Sequence, residues 1–580
     1  MLPPVSFSRP RCYPPAVRTT LGWALLYLLL AALLVNPGDW SSALSGHPGV
    51  DVYNHAWGSW WWAQSLSQGE LPWRTDLIMH PRGGVLFHID PVGALLALPI
   101  ALAGGASPES VALGFNLVAV LRFALAGFAA HLLAQELAQR PGPHALVAGL
   151  AHMTAPYLLC EQYNGITEAT ATGFVALALW GWARALHRQR LRDHALAGLL
   201  TGLAAANSFY FGLALVLPLA LILLVLLLRR RLSPLALLAG AGSTAALALP
   251  VFLLFRASFE VPDAALPRGG HQNLALILHN AVDPQELVRP GFASYDFAAA
   301  GELFEHSFYL RASLLLLALV GLLRLPRPRA AWLALSLLPL VLALGPYLVW
   351  NGALVKMGEQ VVGLPFILLQ LAVPELAITH AARLGVVGIA SLCGLAGVAL
   401  SRLSPRLGWP LSLLLGGLVA AESLWASPIS PPLPSAPAEI PALVAALEAQ
   451  DPVDRRGVLD LPPQVDRTML TSRYLWYQVG HGRPIPYSID PHIQRSGDND
   501  VLLSLERHTR QERDSHTLSE ERLRQILPTR YAWVVVHEDL EAQGRGFDVN
   551  KGGLYTRLMT ELLGEPTRSD GLRHAWELAP

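Results

Sequence analysis

Between Thr20 and Leu424 the chain is a succession of apolar runs, at about 20–35, 109–138, 144–159, 168–186, 194–208, 211–228, 234–255, 310–323, 330–349, 383–400 and 409–424. Runs of this kind become either core helices or membrane spans, which need about 20 apolar residues. Charge decides between the two. Of the 42 basic and 42 acidic residues, 39 lie in the last 150 positions, about 26% of that stretch, whereas the first 430 carry about 10%. A typical soluble chain has roughly 25%. So few charges cannot clothe a water-facing surface. The first part is therefore read as a membrane domain and the rest as an ordinary soluble domain. A soluble enzyme, a secreted disulfide scaffold and a disordered chain are excluded.

The net charge is zero, so nothing points to nucleic acid. Only Lys356 and Lys551 are lysines; that bias, with the excess of Ala and Leu, indicates a GC-rich bacterial genome. Cys12, Cys160 and Cys393 are too few and too scattered for a disulfide framework or a cysteine metal site.

Arginine clusters mark one side of the membrane: Arg184-Arg188-Arg190-Arg192, Arg229-Arg230-Arg231, Arg324-Arg327-Arg329 and Arg402-Arg406. With the first run read as an uncleaved anchor and the N-terminus inside, eleven spans place all four clusters inside. The stretch 92–104 would break this parity if it crossed. It is short and contains Pro99, so it is expected to lie on the outer surface. The expected protein is a multi-pass protein of the inner (plasma) membrane, with a cytoplasmic N-terminus and an extracytoplasmic C-terminal domain. Domain 1–427 carries long outer loops at 37–108, 256–309 and 350–382. A proline-rich linker, 428–440, leads to a small α/β domain, 441–580. Its clearest strand is Tyr531 to Val536, with others at GVLDLPP and HAWEL and helices near 441–450, 466–480 and 554–564. Long outer and short inner loops put any chemistry outside.

The first outer loop opens with Asp51. Tyr53, Trp57, Trp60 and Trp61 follow at helical spacing and are expected to anchor a helix at the membrane interface. Asp51 is either that helix's N-cap or a functional carboxylate; His55 follows one turn later. Asp76, His80, His88 and Asp90 lie further on among Pro and Gly, where packing around a headgroup is favoured over metal binding. Glu161 and Glu168 sit seven apart in the short second outer loop, as solvated termini or as functional acids. Before the tenth span stand Glu375, His380 and Arg383. An arginine at a helix N-terminus suits a phosphate, though it could also snorkel to the headgroups.

A first span, a long outer loop opening with Asp51, the pattern D-x-Y-N-H-x-W, and juxtamembrane helices ending near HIDPVGALLALP together resemble the GT-C glycosyltransferases. These include protein mannosyltransferases, aminoarabinose transferases and oligosaccharyltransferases. The resemblance covers about 1–425; the chain differs in having no acidic pair directly after Asp51. It implies a GT-C-like fold of about eleven transmembrane helices, and a sugar moved from a polyprenyl phosphate or diphosphate to an outer-side acceptor. Asp51 would then act as general base on the acceptor hydroxyl or stabilise the charge developing on the sugar. Glu161 or Glu168 would assist, and Arg383, with His380 beside it, would hold the donor phosphate. His55, His80, His88 and Asp90 would line the headgroup and acceptor loop. The expected partners are membrane lipids and the polyprenyl-phosphate sugar; a divalent metal is compatible but not required. Two other readings stay open: a transporter or lipid flippase, and a non-catalytic envelope scaffold whose tail binds a partner. Acids clustered at outer span ends, with Leu, Ala, Val and Gly at mid-span, favour surface chemistry over translocation.

Overall fold

The computed structural model describes residues 17–83, 85–86, 90–258, 274–295, 303–325, 329–372, 378–447, 454–463, 470–489, 497–512, 514–541 and 553–579. Each apolar run holds a helix. Val17–Val35, Pro108–Ala138, Thr172–Arg188, Leu191–Asn207, Phe209–Leu228, Pro234–Ser258, Ala312–Arg324, Arg329–Ala343, Val386–Val398 and Pro405–Ala426 account for ten of the runs. Among the described residues, five helices are long and apolar enough to cross a membrane. Leu21, Leu25, Leu29 and Leu33 form an exposed row on the first helix, and Leu221, Leu224 and Leu228 do so on Phe209–Leu228. Water is a poor solvent for such continuous apolar rows; hydrocarbon is a good one. Where helices meet each other the contacts are small. Gly198 lies against the backbone of Gly240, leaving no room for a Cβ, and so lets Leu191–Asn207 close onto Pro234–Ser258.

Two runs depart from expectation. The run 144–159 is two helices, Ala145–Met153 and Pro156–Tyr163. Pro156 lacks the N–H that would continue the ladder, and the Thr154 hydroxyl takes the Leu150 carbonyl at 2.8 Å. The run 168–186 starts late. Thr167–Thr170 is a separate four-residue turn, and the long helix begins at Thr172. Both breaks bring polar residues, Glu161 and Glu168, in from the end of a rod toward the protein.

The helix Pro91–Ala103 has 13 residues, about 20 Å, against roughly 30 Å of hydrocarbon. It buries Ala94, Ala97 and Ala101 and exposes Leu95, Leu96 and Leu102.

The expected interfacial anchor is not one. In the helix Val52–Ser67, Trp57, Trp60, Trp61 and Trp62 are all buried within the protein. The reason lies in the tail, whose apolar side chains form one continuous core with this helix. The Trp57 indole donates to Gln478 at 2.8 Å and the Trp61 indole to the Pro72 carbonyl at 3.0 Å. Backbone bonds join 77–80 to 485–487, and Ala43–Ser45 pairs antiparallel with Ser435–Pro437 in the linker. The tail's sheet runs in the order Arg568–Ser569, Arg573–Glu577, Tyr531–His537, Gly457–Leu461. Only the last pairing is parallel. All seven residues of Tyr531–His537 are buried, as expected of a central strand.

Candidate functional site

Four segments converge on the loop that carries Asn164 and Glu168. The Asp51 N–H donates to the Asn164 carbonyl at 3.0 Å. Gly165, at φ +73°, has no room for a Cβ against the Val52 backbone, so the second outer loop lies flat on the start of the helix Val52–Ser67. Asn164 clamps a third segment by exchanging two bonds with the Glu305 backbone, at 2.8 and 3.0 Å. The fourth segment, 378–385, delivers Arg383.

The Asp51 side chain accepts no bond from the helix's first-turn N–H groups, so it does not cap the helix. It accepts instead from the Asn54 amide at 2.9 Å, and that amide also reaches the Ile489 carbonyl in the tail at 3.1 Å. Asp51 is half-buried, whereas His55, one turn on, is buried.

Glu168 is the centre of an ionic cluster. Arg383 donates to one of its oxygens at 3.0 Å, and His55 Nδ1 lies 3.5 Å from the other. That second oxygen is buried with no hydrogen-bond partner among the described residues. Burial lifts the Glu168 carboxyl, but His55 and Arg383 outweigh it and hold the pKa below its usual value. Burial likewise lifts Glu161, and there Arg383 and His306 offset it only in part, so its pKa is raised. Two acids in one site are thus pushed apart, one toward the ionised and one toward the neutral form. Arg383 also stacks over the Tyr210 ring, 5.3 Å from its centroid. The Tyr210 hydroxyl lies 3.1 Å from Thr379 Oγ1 and 3.4 Å from His380 Nδ1.

Of the residues singled out in the sequence, His55, Asp90, Glu161, Glu168, His380 and Arg383 come together around Glu168 and Arg383, and His55 is one helical turn from Asp51. His80 does not. Its ring bonds the Arg530 carbonyl at 2.7 Å and packs on Tyr531, so it is part of the seam between loop and tail rather than of a headgroup loop. Asp76 is exposed. His88 and Glu375 lie outside the described residues. Several contributors were not foreseen. Arg122 is buried and holds Asp90 through two bonds, 2.6 and 2.8 Å, and the Thr167 carbonyl at 2.6 Å. A charge in the middle of the run 109–138 was the signal. Its depth is explained by the length of Pro108–Ala138, whose 31 residues make about 46 Å. His306, 3.5 Å from Glu286, adds a further charged pair. Among the described residues no group of three or more His, Cys, Asp or Glu is arranged to hold a metal ion.

No family model matches the chain, and no curated protein does. Solved structures of similar course include three membrane-enzyme structures. The archaeal oligosaccharyltransferase AglB from Archaeoglobus fulgidus, in complex with an inhibitory peptide and a dolichol-phosphate, is 13% identical; the match covers 90% of this chain and 70% of that one, with a TM-score of 0.48. ArnT from Cupriavidus metallidurans, bound to undecaprenyl phosphate, is 16% identical over 96% of this chain and 97% of that one, with a TM-score of 0.43. The arabinofuranosyltransferase AftD from Mycobacteria is 14% identical over 91% of this chain and 35% of that one, with a TM-score of 0.47. At these identities the chemistry of the chain is to be read from its own residues.

Proposed function

We propose that the chain is a membrane glycosyltransferase that moves a sugar from a polyprenyl-phosphate-linked donor to a hydroxyl acceptor on the outer side of the bilayer. The observation that carries this reading is the Arg383–Glu168 pair, with His55, one helical turn from Asp51, at the second Glu168 oxygen. A lipid-linked donor needs hydrocarbon for its chain and, at headgroup level, a cation for its phosphate. Arg383 answers the second need. Its guanidinium is kept in place by Glu168 and the Tyr210 face, and a planar fork suits phosphate oxygens. As the bond between sugar and phosphate breaks, charge accumulates on the leaving oxygen, and a fixed cation there lowers the barrier.

On this reading Asp51 works as a carboxylate at the reacting centre. It can accept a hydrogen bond from the acceptor hydroxyl and stabilise the positive charge growing on the sugar. The domain 441–580 is proposed to lie on the same outer side, bracing the residues around Asp51.

The test is turnover. Purified protein is incubated with a panel of polyprenyl-phosphate sugars and hydroxyl acceptors, and release of polyprenyl phosphate is measured. Release above that of an Arg383→Gln control supports the reading. No release from any donor, with the protein folded, contradicts it.

A further inference from the structure

The buried chain Asp90–Thr167–His55 fixes where the imidazole carries its hydrogen. Thr167 Oγ1 has one hydrogen and donates it to Asp90 Oδ2, because an ionised carboxylate only accepts. Toward His55 Nδ1, 2.8 Å away, the same oxygen must therefore act as acceptor. The other neighbour of Nδ1, the Glu168 carboxylate at 3.5 Å, is also an acceptor. Both neighbours demand a hydrogen on Nδ1. The neutral ring is then left with its lone pair on Nε2, which has no hydrogen-bond partner among the described residues and is not among the sealed buried atoms. Asp90 is itself held by both Arg122 bonds and donates nothing. This makes a base rather than a packing histidine: an orienting partner on one nitrogen, a lone pair on the other, and a carboxylate beside the ring to stabilise imidazolium.

We propose that His55, through Nε2, is the group that takes the proton of the acceptor hydroxyl, with Thr167 and Asp90 as positioning residues; this rests on the glycosyl-transfer reading above. In the step, the acceptor O–H breaks and its proton goes to Nε2. The oxygen forms its bond to the sugar carbon, and the bond from that carbon to the phosphate oxygen breaks, with the electron pair leaving on phosphate. Imidazolium then forms between Glu168 and the Asp90–Thr167 pair and later releases its proton to water. Asp51, on the same helical face one turn earlier, keeps its charge throughout. Burial holds the His55 pKa below its usual value. The charged groups that face it are Glu168, Asp90, Arg122 and Arg383.

Two measurements on the full-length protein test this. In bilayers, with ¹⁵N-labelled histidine and the His55 signal assigned by its loss in His55→Gln, the shifts should show hydrogen on Nδ1 and a lone pair on Nε2. In Thr167→Val the two tautomers should mix, and in Thr167→Ser the wild-type pattern should return. In turnover of a polyprenyl-phosphate sugar, His55→Gln should lower kcat by about 10²–10⁴-fold and abolish the loss of rate at acid pH. Thr167→Val should lower kcat by roughly 10–100-fold, as when a histidine loses its orienting partner, with KM unchanged and Thr167→Ser near wild type. Hydrogen on Nε2 in the wild type, or Thr167→Val turning over like wild type, overturns the proposal. If no donor is turned over but the shifts still show Nδ1–H, the glycosyl-transfer reading falls and the base role with it, while the hydrogen-bonded chain stands.

Discussion

Arg383 and Glu168 meet at 3.0 Å although 215 residues separate them, and each sits in a short turn just before a long helix, Thr172–Arg188 in one case and Val386–Val398 in the other. On the proposed function, Arg383 supplies the counter-charge of the lipid-linked phosphate. Arg383→Gln should therefore lower kcat by about 10²–10³-fold, the loss expected when a fixed electrostatic stabiliser of a leaving group is removed. Arg383→Lys should recover only part of this, because an ammonium lacks the fork and the stacking on Tyr210. Steady-state kinetics on the three proteins checks both statements.

Trp57 ties the outer-loop helix to the tail through Gln478. Trp57→Phe keeps most of the ring but leaves the Gln478 oxygen unpaired in a buried place, at about 1–3 kcal/mol. Thermal unfolding in detergent should show a lower midpoint. Limited proteolysis should cut the tail faster than the membrane domain, since the seam between them is what has been weakened.

Arg122 and Asp90 form a buried ion pair, with Arg122 only 2% exposed. Arg122→Met strands the Asp90 charge and should cost about 3–5 kcal/mol. Replacing both, as Arg122→Met with Asp90→Leu, should regain much of that stability, because an apolar pair needs no counter-charge. The same double variant should remain inactive. Unfolding midpoints separate the two effects from loss of turnover.

The proposed topology puts Asp51 and the tail outside and Arg229 to Arg231 inside. Single cysteines introduced at 51 and 229 should react with an impermeant thiol reagent from opposite faces of sealed vesicles. Labelling of both from one face would contradict the topology, and with it the outer placement of the site.

Much of the bundle was legible because a hydrocarbon solvent imposes a simple rule: helices long, apolar and uninterrupted, with arginines held at one side. The central strand Tyr531–His537 was legible for a related reason, since seven residues buried on both faces must read as an apolar run. What the sequence hid were relationships between distant positions. The tryptophans of Val52–Ser67 have the composition of an interfacial anchor, and only the tail's docking, some 420 residues later, turns them into core. Asp90, Arg122 and Thr167 come from three separate segments, and no periodicity links them. Glu161 and Glu168 were visible as acids near span ends. Their opposite displacement in pKa depends on Arg383, His55 and His306, brought in by folding.

The central claim is that the Asp51 carboxylate works at the reacting centre rather than serving the fold, and Asp51→Asn separates the two. Asparagine has the same shape as aspartate, and its side-chain oxygen can still accept from the Asn54 amide, so the variant should reach the membrane at normal level with an unchanged unfolding midpoint. If the claim is right, release of polyprenyl phosphate from the donor should fall by about 10²–10⁴-fold, the range lost with a group acting directly in the chemical step. Asp51→Asn protein that turns over the donor at the wild-type rate would contradict it.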